Sequence, residues 1–380
     1  MRIVADENIP YVREAFASLG EVTAVPGRGL TRAAVADAEL LLVRSVTKVG
    51  PDLLAGTRVR FVATATIGTD HVDTNYLRER GIGFASAPGS NANSVAEYVV
   101  AALLVVARRL SWRLAGRSIG VVGVGHVGSL VVEKFRALSL RVLQNDPPRF
   151  DASGDAAFRP LAELFGCDVI TLHVPLTRSG PYPTHHLAGE PFFRSLRPGA
   201  VFLNTSRGAV HETGALLAAL RAGRLSAAVL DVWEGEPNIS AELLDQVALG
   251  TAHIAGYSFD GKVRGTEMIY QAACEFLGVQ PTWQPTLPPA PLAQVSVEAA
   301  RRDDEEMLRE VVLKVYNIED DDRDLRKLLD LSGAERPGYF DSLRKNYPVR
   351  REFPNTTVQL LGGPDSLRAK LTGLGFGVTP

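Results

Sequence analysis

The stretch SIGVVGVGHVGSLVV, residues 118–132, reads as an apolar strand that runs into a glycine turn and leaves it as a helix. Gly123, Gly125 and Gly128 stand at G-x-G-x-x-G spacing. Alone, that spacing also describes an ordinary tight turn, so its context carries the reading. The strand RVLQND follows and ends on Asp146, eighteen residues beyond Gly128. Glycine at 123 and 125 lets the backbone approach a pyrophosphate at the helix N-terminus, and a carboxylate at 146 accepts hydrogen bonds from an adenosine ribose. The same carboxylate repels a 2′-phosphate, so the expected cofactor is NAD and not NADP, although Arg149 lies close by.

Strands alternate with helix-length segments on both sides of the turn. Before it, RIVAD, LLLVRS, RFVATAT and GIGFASAP are strand candidates; after it come DVITLHVP, AVFLNTS, AAVLDVW and a weaker one through GTAHIAG. FFRSLR and TGALLAALRAG separate them as helices, and SLVVEKFRAL places Leu130, Val131, Phe135 and Leu138 on one helical face. The alternation predicts an α/β chain of parallel sheets covered by helices, with a doubly wound nucleotide-binding domain beginning at the turn. AEYVVAALLVVARRL is apolar around most of its circumference, as suits a helix buried between two domains. VRGTEMIYQAACEFLG reads as a further helix and PTWQPTLPPAPLAQ as a proline-rich connector. Beyond it, DDEEMLREVVLKVYN and DRDLRKLLDLSG read as acid-started helices, and AQVSVEA and TTVQLLG as strands, of a small separate α/β module.

Composition narrows the function classes. A chain of 380 residues is too long for one ordinary core and implies two or three domains. Its 41 Lys and Arg are balanced by 43 Asp and Glu with no basic run, which leaves no footprint for nucleic acid. MRIVADENIP lacks the basic and apolar regions of a secretory signal, and SVAEYVVAALLVVARRL is too short and too charged for a membrane span. Cys167 and Cys274 fit neither a disulfide framework nor a zinc site, and the expected compartment is a reducing cytoplasm. No metal is expected, because His185 and His186 have no Cys, Asp or Glu at ligand spacing. His71 and His173 read as residues that line a cleft without titrating, and EDDDRDLRK, residues 319–327, as a solvated helix start.

The remaining signals fall just past the carboxyl ends of strands, where open α/β sheets bind ligands. NTSRGAV puts Arg207 after one strand, DVWEGEP puts Asp231 and Glu236 after the next, and TAHIAG puts His253 beside a glycine turn. Each alone is an ordinary structural residue; at successive strand ends they form a set. Oxidation of a 2-hydroxy acid needs a fixed cation for the carboxylate, a base for the hydroxyl proton, and a carboxylate to support that base. Arg207, His253 and Glu236 supply those types.

The order G-V-G-H-V-G, N-D-P, H-V-P-L-T, N-T-S-R-G-A, D-V-W-E-G-E-P and H-I-A-G resembles the D-isomer-specific 2-hydroxyacid dehydrogenase family over residues 1 to about 280. The resemblance implies that Arg207 binds the substrate carboxylate or carbonyl, that Glu236 tunes His253, and that His253 exchanges the proton. It sets His126 and Val127 within the cofactor turn, the His126 side chain pointing outward. Val174, Thr205, Ser206 and Arg207 lie against the cofactor, and Asp231 lies near the nicotinamide carboxamide. The implied fold is a Rossmann-type doubly wound NAD domain, residues 95–256, inserted into a flavodoxin-like α/β substrate domain made of residues 1–94 and 257–285.

LLLVRSVTKVG resembles a segment carried by members of that family with phosphorylated substrates. Arg44, Ser45 and Lys48 offer two cations and a hydroxyl for an oxyanion; they read equally well as a solvated strand end. DENIPY, TATIGTDHVD and HIAGYSFDGKVRGT, with the C-terminal extension, are similar to one such branch. That likeness implies a phosphorylated 2-hydroxy acid as substrate, contacted by Ser45, Thr66 and Tyr257 with Arg44, and an approach of Gly256 to NAD. It also implies that residues 286–380 are a dimerisation domain of a homodimer.

Overall fold

Five short strands open the chain: β1 (Arg2–Asp6), β2 (Glu21–Val25), β3 (Leu40–Val43), β4 (Phe61–Thr64) and β5 (Gly83–Ala85), all parallel in the order β2-β1-β3-β4-β5. That order is the flavodoxin-like one, with its switch point between β1 and β3. The structure is a computed structural model and describes residues 1–299 and 302–380. Four of these strands are the predicted ones, since β3 and β4 are buried throughout and read as apolar runs. The fifth, β2, is an edge strand whose five residues are all exposed or half-buried, so EVTAV carries no such run. The helix Phe259–Leu277 returns to this sheet and buries Ile269, Tyr270, Ala273 and Cys274 with Phe16 and Leu42.

The second sheet holds β6 (Ser118–Val122), β7 (Arg141–Asn145), β8 (Val169–Leu172), β9 (Ala200–Asn204), β10 (Leu225–Leu230) and β11 (Leu249–Gly250). Its order is β11-β10-β9-β8-β6-β7, and a single parallel bridge from Gln144 to Phe158 continues it beyond β7. Counting that bridge as a reduced third strand, the bridge, β7, β6, β8, β9 and β10 run in the order 3-2-1-4-5-6 of a dinucleotide-binding sheet, and β11 adds a seventh strand at the far edge. The weak strand candidate through GTAHIAG is only the two-residue β11; the rest of that stretch is loop.

A third parallel sheet, β12 (Gln294–Glu298), β13 (Thr357–Leu361) and β14 (Gly377–Thr379), closes the chain. It is accompanied by the helices Asp304–Val315, Ile318–Arg326, Arg336–Lys345 and Asp365–Leu374. Asn317 starts the second of these by accepting a hydrogen bond from Glu319 N–H, which places its start upstream of the expected DRDLRK. The last two helices and β14 have no counterpart in the sequence reading.

By internal contacts the chain forms two units, residues 1–91 with 258–289 and residues 92–257 with 290–380. The C-terminal residues thus belong with the nucleotide-binding sheet. The helix Ala92–Arg109 shows why: fifteen of its 18 residues are buried. It packs on the helix His126–Ala137 and on the C-terminal helices Asp304–Val315 and Ile318–Arg326, so its burial is satisfied inside one unit and not between domains. Each fully buried Val or Leu on it contributes about 1.5–3 kcal/mol. Its one buried acid, Glu97, accepts from Asn93 and from the Phe353 N–H; burial and the neighbouring Glu352 push the carboxyl up to about 8. Among the described residues no helix is long and apolar enough to cross a membrane.

Candidate active site

The glycine turn lies where β6 meets β8, the switch point of the second sheet. Gly123 has φ +84°, and a Cβ there would come 2.6 Å from the His173 carbonyl. Gly128 lies under the turn, where a Cβ would fall 2.0 Å from the Gly123 carbonyl, so glycine alone lets this helix start so close to its strand. At Gly125 the surroundings are open: a Cβ would meet nothing within 4 Å, and no side chain caps the helix. Its first N–H groups are therefore available to an anion, which is what a dinucleotide pyrophosphate requires. Asp146 accepts from Val124 N–H at 2.8 Å and Arg149 N–H at 3.1 Å. The Arg149 guanidinium folds back onto the Val124 carbonyl and the Phe158 ring. His126 is exposed and Val127 half-buried, as a turn facing outward would have them. Val174 and Thr205 are half-buried and Ser206 is buried.

The strand ends that follow are tied together by hydrogen bonds. Asn204, at the end of β9, accepts from Ser206 N–H at 3.0 Å and Ser206 Oγ at 2.7 Å, and donates to the Arg207 carbonyl at 3.0 Å. A Cβ on Gly208 would lie 2.0 Å from the Trp233 carbonyl group. Only glycine after Arg207 therefore permits its loop to rest on the loop that carries Glu236.

Asp231, just past β10 and 1% exposed, holds the loop of His253. Its backbone carbonyl accepts from His253 N–H at 2.7 Å, and its Oδ1 accepts from Thr251 Oγ1 at 2.6 Å and Ile254 N–H at 2.7 Å. Its Oδ2 accepts from Ala255 N–H at 3.0 Å. His253 has φ +56°, a left-handed conformation that is uncommon for a side-chain-bearing residue and that concentrates at functional sites. Its Nδ1 lies 2.7 Å from Glu236 Oε2, while Glu236 Oε1 accepts from Trp233 N–H at 2.7 Å. Burial works against ionisation of Glu236. The charge and hydrogen bond of His253, the Trp233 N–H and the charge of Arg344 outweigh it, and the carboxyl is held below its ordinary range. An ionised carboxylate only accepts, so Nδ1 carries a proton, and in the neutral ring the lone pair is then on Nε2. Nε2 makes no hydrogen bond with any described residue.

In the first unit, Arg44 and Asp6 sit at the switch point between β1 and β3. Arg44 Nε lies 3.3 Å from Asp6 Oδ2, whose side chain is fully buried, and its Nη1 lies 3.5 Å from the Asn8 carbonyl. Ser45 and Lys48 are exposed. Thr66 Oγ1 is 2.8 Å from Thr64 Oγ1, which is 3.0 Å from His71 Nε2. In the second unit Gly256 and Tyr257 are half-buried.

Several residues have roles that their local sequence does not announce. His173 bridges Thr171 and Thr205 through its two ring nitrogens, and burial pushes it down to about 3. His186 pairs with Glu234 at 2.6 Å, a partner distant in sequence, and among the described residues no cluster of His, Cys, Asp and Glu could hold a metal. The run EDDDRDLRK is not simply solvated. Asp322 is 7% exposed and accepts from the Gly250 N–H at 2.8 Å, while Asp321 accepts from the Tyr316 and Tyr347 hydroxyls at 2.9 Å each. Burial pushes Asp321 up to about 6. Arg350 reaches the Ala255 carbonyl at 2.6 Å, two residues beyond His253. The clustering of Arg and Tyr in RPGYFDSLRKNYPVRREF, residues 336–353, is the one sequence signal for this docking.

Comparison with known proteins covers the whole chain. Residues 99–255 match the NAD binding domain of D-isomer specific 2-hydroxyacid dehydrogenases, and residues 286–375 match a domain of unknown function. The chain is 48% identical to the erythronate-4-phosphate dehydrogenase of Cronobacter sakazakii, over 100% of this chain and 99% of that one. It is similar in structure to the TT0316 protein of Thermus thermophilus, with TM-score 0.65 and 28% identity over 74% of this chain and 98% of that one. The D-lactate dehydrogenase of Aquifex aeolicus, complexed with NAD and lactic acid, gives TM-score 0.59 and 25% identity over 73% of this chain and 96% of that one.

Proposed function

The chain belongs to the D-isomer-specific 2-hydroxyacid dehydrogenase family, among its erythronate-4-phosphate dehydrogenases, and from this we propose that His253, Glu236 and Arg207 serve the NAD-dependent oxidation of the C2 hydroxyl of 4-phospho-D-erythronate. The product is 3-hydroxy-2-oxo-4-phosphooxybutanoate, formed in the synthesis of pyridoxal 5′-phosphate. The observation that carries the reading is the His253–Glu236 pair at 2.7 Å, which leaves Nε2 free to take a proton.

Bound NAD supplies the acceptor for the C2 hydride. Gly123, Gly125, Gly128, the helix N-terminus and Asp146 are the residues that would hold it. Nε2 of His253 takes the hydroxyl proton, and ionised Glu236 stabilises the imidazolium that results. Arg207 orients the substrate carboxylate, aided by the rigidity that Asn204 and Gly208 give its loop. Arg44, Ser45, Thr66 and Tyr257 complete the substrate contacts in this reading. The switch-point position of Arg44, braced by buried Asp6, supports its part.

Rates with 4-phosphoerythronate, 3-phosphoglycerate and unphosphorylated erythronate, measured side by side, test the reading. The first acid is expected to give the highest kcat/KM; equal values for all three would overturn the assignment. The same reading makes the protein a cytoplasmic homodimer. Light scattering is then expected to return twice the 40.9 kDa chain mass, and a single-chain mass at micromolar concentration would remove the dimer.

A further inference from the structure

We propose that Arg344 is a substrate-binding residue, contributed by the C-terminal region, that takes the phosphate of the phosphorylated acid. This rests on the substrate reading above and names a contact absent from it.

The placement begins with the helix Arg336–Lys345. Phe340 is fully buried, and Arg344, one turn later on the same face, is carried inward with it. Its guanidinium lies over the ring of Tyr257, 5.7 Å from the centroid, and the rings of Tyr257 and Tyr347 stand nearly perpendicular with their centroids 5.8 Å apart. Tyr257 is four residues beyond His253, on the same loop. The charge of Arg344 is felt at Glu236, which puts the cation within electrostatic reach of the proton-transfer pair.

Arg344 differs from its neighbours in its hydrogen bonds. Arg326 pairs with Asp322 and donates to the Leu244 and Val247 carbonyls, and Arg336 donates to the Leu331 carbonyl. Arg344 makes no ion pair with a described residue, and its Nε is buried without a hydrogen-bond partner. Tyr257 and the charges of Glu236 and Asp231 support the cation, but its buried Nε is left without an acceptor, and an unmet buried donor is unfavourable. A phosphate is the acceptor whose oxygens match a guanidinium fork, and it is more highly charged than a carboxylate. With Arg207 assigned to the carboxylate, the phosphate is the substrate's remaining anion.

The test uses the full-length enzyme with Arg344→Gln and Arg344→Lys. Loss of a charge-assisted pair should raise KM for 4-phosphoerythronate by about 10- to 100-fold in the Gln variant, with part of the loss recovered in the Lys variant. The inhibition constant of unphosphorylated erythronate and the affinity for NADH should stay within about twofold of the parent, the resolution of such comparisons. Equal weakening toward both acids would make Arg344 a carboxylate or structural contact. An unchanged KM with a displaced pH profile of kcat would mean that it acts through Glu236. Either result overturns the proposal, as does a variant indistinguishable from the parent. If the Gln variant does not fold, inorganic phosphate as a competitive inhibitor carries the test: weaker inhibition of the Lys variant by at least about fivefold supports the proposal, and equal inhibition overturns it. Failure of the substrate reading shows separately, in the parent enzyme, as no preference for the phosphorylated acid.

Discussion

Replacing His253 with alanine should lower kcat by about two to four orders of magnitude while leaving NADH affinity unchanged. The ring sits between two fixed points. Its Nδ1 is held at 2.7 Å by Glu236, and its backbone N–H is held at 2.7 Å by the Asp231 carbonyl. Removing the imidazole deletes Nε2, which has no hydrogen-bond partner among the described residues. Alanine tolerates φ +56° less well than histidine, so some destabilisation would accompany the kinetic loss. Asparagine, which accepts left-handed backbone more readily, separates the two effects. His253→Asn should lose the same activity with a melting temperature nearer the parent's. Turnover of either variant at close to the parent rate would remove His253 from the reaction.

Glu236→Gln should cost about a hundredfold in kcat, because the amide keeps the shape but cannot stabilise an imidazolium. It also has a pH signature whose sign follows from the structure. The carboxyl of Glu236 is held below its ordinary value of 4.5 in the folded chain, so between those two values the unfolded state binds more protons. The stabilisation from ionised Glu236 is therefore complete above the ordinary value and is lost as pH falls through the depressed one. Unfolding free energies of parent and Glu236→Gln, measured from neutral pH downward, should differ by a constant amount first and then converge in that acid window. A difference that does not change with pH would show that the Glu236 charge is not coupled to folding, and the kinetic argument would lose its basis.

The two variants probe residues that are readable in the chain for a local reason. His253, Glu236 and Arg207 each follow a buried parallel strand, and such strands appear as short apolar runs ending in polar residues. The glycine turn is readable for a similar reason: Gly123 and Gly128 meet their own turn and the neighbouring strand end at distances no Cβ allows. Edge elements give less signal. The strands β2 and β14 have no fully buried residue between them, and a strand without a buried face has no periodicity to detect.

Asp231 illustrates a different limit. Its position after β10 marks it as a ligand-facing residue, yet both of its oxygens are occupied in fixing residues 251–255, about twenty residues away. The C-terminal region is the larger case. Its sequence reads as a small separate module, and its acidic run as a solvated helix start. Asp322 instead meets Gly250, 72 residues distant, and Arg350 meets Ala255, 95 residues distant.

Strand alternation, glycine spacing and the residues ending each strand therefore specify two parallel sheets, a dinucleotide turn and the positions of Arg207, Glu236 and His253, because each is written within a few residues of chain. The embrace of the His253 loop by the C-terminal region, and the placement of Arg344 beside Tyr257 with its Nε unmet, arise from folding alone. They join residues far apart in sequence through buried charges and hydrogen bonds, and a buried charge looks like a solvated one until its partner is in place.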